Sequence, residues 1–160
     1  MKFLVVLIAL AAVAYVVYSR GQATNPEVIE TPVYAELRMG TRVQGRDIDM
    51  VMFGVMAGDE DCQQRANRVW QKLIDGCKEC TMTLSSCKAD LEPRYRRLFD
   101  NAPTHSTYLS FTRGNRFERD GRMIVYGLTG EEGKVVCETI KSDFQSRYEG
   151  TVSCVIARGS

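Results

Sequence analysis

Residues 47–75, DIDMVMFGVMAGDEDCQQRANRVWQKLID, change their period at the midpoint. Asp47 to Ala57 is rich in strand formers and becomes continuously apolar, as a strand buried on both faces would. From Asp59 to Asp75 the apolar residues recur at helical spacing, with Cys62, Ala66, Val69, Trp70, Leu73 and Ile74 on one stripe. Asp59 is placed to cap this helix, Glu60 and Asp61 suit the positive end of its dipole, and Gly76 is a stop signal.

The same succession returns downstream. Phe53-Gly54-Val55 precedes Gly58-Asp59-Glu60, and Tyr126-Gly127-Leu128 precedes Gly130-Glu131-Glu132. Thr129 to Glu132 fits a capping box, and Val136, Cys137, Ile140, Phe144 and Tyr148 supply the second stripe. Gly150 ends that helix, and Thr151 to Ala157 reads as the closing strand. Between the halves lie a strand at Thr81 to Ser85 and a helix within Lys88 to Asn101, with Pro93 tolerated in its first turn. Ser106 to Thr112 and Arg122 to Leu128 read as hairpin strands, turning at Gly114-Asn115 or Asp120-Gly121. Two βαβ halves predict an α+β domain of ferredoxin-like type: an antiparallel sheet with two main helices on one face.

Phe3 to Tyr18 is an unbroken apolar run between Lys2 and Arg20. As a helix it spans about 24 Å, and Tyr15, Tyr18, Lys2 and Arg20 suit the headgroup zones on either side. The reading is a transmembrane anchor, with a signal peptide cleaved at Ala12-Val13-Ala14 as the alternative. The chain then divides into an anchor or signal segment (1–20), a tether (21–46) and an exported domain (47–160). Pro26 and Pro32 argue against a helix in the tether, and Val33 to Met39 could add an edge strand. The expectation is a single-pass membrane protein with its C-terminal domain in the periplasm or the extracellular space.

All six cysteines lie in the exported part, and an even count there reads as a disulfide framework. Cys137 on the second stripe and Cys154 in the next strand face the same sheet surface, which predicts their bond. By the same geometry Cys62 pairs with Cys87, leaving Cys77 with Cys80. Zinc is the competing reading for Cys77-Lys78-Glu79-Cys80, with Cys87 and either Cys62 or His105, but a knuckle needs two close pairs. A redox C-x-x-C opens a helix, whereas this one follows a helix. No metal or cofactor is expected.

With 44% hydrophobic and 26% charged residues the chain is not disordered, and a net charge of +1 gives no reason to expect a nucleic-acid partner. His105 is the single histidine and stands in a turn without a nucleophile motif around it. Asp47 with Asp49, and Asp59 to Asp61, lack an implied metal; the dipole explains the second group. The basic hairpin is more pointed: Arg113, Arg116, Arg119 and Arg122 interleave with Tyr108, Phe111 and Phe117. Arginine beside exposed aromatics suits anionic, sugar or protein ligands.

An anchor, a tether and a duplicated βαβ domain resemble, in layout alone, the SPOR peptidoglycan-binding modules of cell envelopes. The cysteines depart from that pattern and no residue carries over. The expected function is a non-catalytic, membrane-tethered envelope protein whose exported domain binds another protein within an assembly. The alternative is a glycan- or anion-binding module using the Arg-rich hairpin; a thiol oxidoreductase is the enzymatic rival.

Overall fold

The computed structural model describes residues 28–77, 79–113 and 120–158. Among them are six strands and three helices: β1 (Val33–Val43), β2 (Arg46–Met56), α1 (Asp59–Gly76), β3 (Thr81–Lys88), α2 (Pro93–Phe99), β4 (Tyr108–Thr112), β5 (Gly121–Tyr126), α3 (Gly130–Gln145) and β6 (Thr151–Val155). The strands form one antiparallel sheet in the order β3-β1-β2-β5-β4-β6. No described helix is long and apolar enough to cross a membrane, and the run at 3–18 lies outside the described residues.

The largest departure from expectation is β1. The stretch read as tether, with an edge strand possible at Val33 to Met39, contributes an interior strand, paired along its length with β2 and on its other side with β3. Its turn is Gln44-Gly45, with φ of 51° and 80°, the left-handed pair that a two-residue hairpin requires. Alternation along β1 then buries Ala35, Leu37 and Met39 on one face and Glu36 on the other.

Each half is therefore ββαβ, and its first strand lies between the two strands of a split βαβ unit. The halves β3-β1-β2 and β5-β4-β6 meet at the β2–β5 ladder, from Asp49↔Tyr126 to Gly54↔Gly121. That arrangement is an approximate twofold about an axis normal to the sheet. It gives six strands where a ferredoxin-like sandwich has four.

Helices α1 and α3 pack on one face, α1 across β1 and β3 and α3 across β4 and β6. Cys62 packs with Ala35 and Met56 under α1, and Cys137 with Leu109, Met123 and Val152 under α3. α1 opens at Asp59 itself, so that Asp59 stands in the first turn; the Gly58 carbonyl accepts the Cys62 N–H at 2.9 Å. α3 carries the expected capping box: Glu132 N–H donates to Thr129 Oγ1 (3.3 Å) and Thr129 N–H to Glu132 Oε2 (2.8 Å).

The opposite face is closed by α2. Leu91, Tyr95 and Leu98 pack onto Val51, Phe53, Tyr108 and Ile124, residues drawn from both halves. Burying each such side chain contributes about 1.5–3 kcal/mol, so this layer links the halves alongside the β2–β5 ladder.

The three disulfides are Cys62–Cys87, Cys77–Cys80 and Cys137–Cys154, with Cα separations of 6.1, 5.4 and 5.9 Å. The first and third occupy equivalent places, each tying a helix to the outer strand of its half.

Candidate functional site

Among the described residues nothing covers the middle of the helical face. Between α1 and α3 runs an apolar groove of about 540 Å³. Its floor is Leu37 on β1, Met50, Met52 and Met56 on β2, and Met123 on β5. Ala66 and Val69 form the α1 wall; Phe111, Ile140, Phe144 and Tyr148 form the α3 wall. Across the centre the row Ala35–Gly54–Gly121 carries nothing larger than a methyl group, which deepens the groove.

The walls are rigid and the floor is soft. Phe111 meets Phe144 and Tyr148 edge-on at 5.6 Å each, fixing the α3 side. Methionine side chains are flexible and polarisable, so the floor adapts to what lies on it. Val69 and Phe144, 40% and 43% exposed, stand at the two lips. An apolar side chain left in water beside an apolar trough marks a binding surface better than either feature alone.

Charge enters on the α1 side. Arg65 and Arg68 line the groove, and Arg65 Nε donates to Asp61 Oδ1 at 2.6 Å. Asp120 and Arg122 also line it, but both are buried. Asp120 accepts from Arg113 N–H (2.6 Å) and Thr112 Oγ1 (3.0 Å), and burial nevertheless raises its pKa.

The ligand residues expected on the hairpin are dispersed. Arg122 is a structural residue: it donates to the carbonyls of Leu98, Phe99, Phe111 and Gly121 at 2.7–3.2 Å and lies 4.6 Å from the Phe99 ring. Burial lowers its pKa, with Asp120 the strongest opposing influence. Tyr108 is 1% exposed in the α2 core and donates to the Ala102 carbonyl at 3.0 Å. Neither can meet a ligand at the surface. Arg113 faces Glu149 at 3.8 Å with a largely covered side chain, and Phe111 is a groove wall. Arg116, Phe117 and Arg119 lie outside the described residues.

Other polar features are local. His105 is exposed. Asp47 pairs with Arg42 at 3.2 Å across the β1–β2 hairpin. No three His, Cys, Asp or Glu side chains among the described residues converge on a point that could hold a metal ion. On the opposite face Glu36 is buried and held by Arg38 (2.6 Å) and Lys88 (2.8 Å). Burial pushes its pKa up, and hydrogen bonds from Lys88 and Arg38 more than offset that, leaving it lowered. Cys77–Cys80 follows the end of α1, so the helix N-terminus that activates a redox pair is absent from this one.

Sequence reasoning found most of the wall residues as helix stripes but assigned them to the core. The signal it lacked was the width of the sheet beneath them. No protein-family model, no curated protein and no solved structure matches this chain.

Proposed function

We propose that this chain is a non-catalytic, membrane-tethered envelope protein whose exported domain binds another protein in the groove between α1 and α3. The observation that carries the reading is the open methionine-floored trough with Val69 and Phe144 exposed at its lips. Its lining offers shape and apolar surface but no converging acid, base and nucleophile, which favours binding over acyl or group transfer. The apolar run 3–18 supports the tether, and three disulfides suit an oxidising compartment such as the periplasm or the extracellular space. We read the fold as kin to the ferredoxin-like sandwich, its two split βαβ units each widened by one strand.

The test is photo-crosslinking in native membranes with photo-methionine at Met52. A discrete protein adduct, lost on Gly54→Val, is expected. Labelling that is unaffected by Gly54→Val would overturn the assignment of binding to the groove. The same membranes test the tether: the chain should sediment with them and retain its first twenty residues on amino-terminal sequencing.

A further inference from the structure

The uncovered gap has a definite width. Among the described residues α1 lies chiefly over β1 and β3, reaching only the near edge of β2, and α3 over β4 and β6, leaving β5 and most of β2 without a helix on this face. The two helix axes are then four strand spacings apart, about 19 Å at roughly 4.8 Å per strand. Packed helices lie about 8–10 Å apart, so α1 and α3 are too distant to cover each other and spaced to take one more helix midway. We propose that the groove seats a single amphipathic helix of the partner, with its apolar stripe on the methionine floor and an acidic flank against Arg68.

This rests on the protein-binding reading and narrows it. β2 and β5 are paired on both sides, so their main-chain groups are taken. An extended segment laid on them would bury unmet N–H and C=O groups, whereas a helix brings its own partners. A single hydrocarbon chain is much narrower than the gap and would leave most of it open. From Met50 to Met56 the floor runs about 20 Å, the length of roughly 13 helical residues. That is room for anchors at i, i+4, i+7 and i+11, the most central over the notch at Gly54 and Gly121.

Charge selects the flank. Of the charged side chains along the groove, Asp120 and Arg122 are buried and engaged, and Arg65 is bonded to Asp61. Arg68 makes no ion pair with a described residue and stands exposed on the α1 wall. The chain's own run at 3–18 is a poor occupant, because it is apolar all round and would leave its outer half in water.

The test uses the full chain in phosphatidylcholine nanodiscs with isotope-labelled methionine methyls. The probe is a synthetic amphipathic peptide of about 14 residues, with a leucine stripe and glutamate flanks. Expected are saturable shifts at Met50, Met52, Met56 and Met123, binding at least about ten-fold weaker for the lysine-flanked peptide, and reversal of that preference by Arg68→Glu. Gly54→Val, whose Cβ would meet only the flexible end of Met56, should abolish binding and leave the melting temperature in place.

Equal binding of a scrambled peptide, or no binding, overturns the proposal. So do the same methyl shifts produced by dodecanoate, which would make the groove a hydrocarbon site, or shifts that grow with protein concentration alone, which would make a second copy the occupant. A Met52 crosslink to a protein, lost in Gly54→Val, together with silence of the peptide would sink the helix and keep the protein-binding reading.

Discussion

Arg122 shows how far a side chain's role depends on what surrounds it. Its guanidinium joins the last carbonyls of α2 to the β4–β5 hairpin, and Asp120 beside it collects the Arg113 amide. Arg122→Met keeps much of the volume but leaves buried carbonyls unmet, so it should cost about 3 kcal/mol or more, read as a lowered urea midpoint. The sequence made this residue a ligand candidate because arginines and aromatics crowd the hairpin. Alternation already argued otherwise: Arg122, Ile124 and Tyr126 share one face of β5, the face against α2. Glu132 carries a second prediction. Bonds from Arg46 and the Thr129 amide depress its pKa from 4.5 to about 2. A depressed acid stabilises the fold fully above its unfolded pKa and progressively less as pH falls toward the folded one. Glu36 acts in the same direction, while Asp120, raised by burial, acts in the opposite one. Glu132→Gln should therefore flatten the decline of melting temperature between pH 4.5 and about 2; an unchanged slope would show that the bridge and cap contribute nothing there.

Among the elements, the helices and the disulfides are legible and β1 only in part: the edge strand expected at Val33 to Met39 is an interior strand that runs on to Val43. The Thr129–Glu132 capping box and the 3.6-residue stripes are local signals, and a helix followed by a strand brings their cysteines together with little freedom; the stop expected at Gly150 comes earlier, because α3 ends at Gln145 with Ser146 as its C-cap. β1 alternates, with Ala35, Leu37 and Met39 on one face and Glu36 and Arg38 on the other, but charged residues on that second face read as a solvated edge, whereas Glu36 is buried and satisfied by Arg38 and Lys88. Its one clear marker is Gln44-Gly45, a left-handed turn between two alternating runs. The disulfides should be measurable contributors. Replacing Cys137 and Cys154 together by alanine frees a loop of 17 residues' separation and should lower stability by about 3 kcal/mol in the chain-entropy picture. Non-reducing peptide maps should show only the pairs 62–87, 77–80 and 137–154. Any fragment linking Cys137 to another cysteine contradicts the packing of α3 on β6.

At the scale of the whole molecule the missed strand and the missed site have one cause. Two helices on a four-stranded sheet lie side by side and close their own face; the strand inserted into each half pushes them apart and opens the groove between them. Helix stripes and caps place α1 and α3 on one face, but the gap between them has no local signature, because width accumulates strand by strand. The sheet stays whole under an open face because the other face is clamped: α2 sits astride β2, β4 and β5, drawing Val51 and Phe53 from one half and Tyr108 and Ile124 from the other. The two faces should thus respond differently to substitution. Leu98→Ala removes a side chain 1% exposed in the shared layer and should cost about 2–5 kcal/mol, with both halves still unfolding in one transition at a lower temperature. Gly54→Val, on the open face, should leave that transition where it was. Two resolved calorimetric transitions in Leu98→Ala would contradict this, and would mean that the halves unfold independently once the α2 layer is weakened, the β2–β5 ladder alone being unable to couple them.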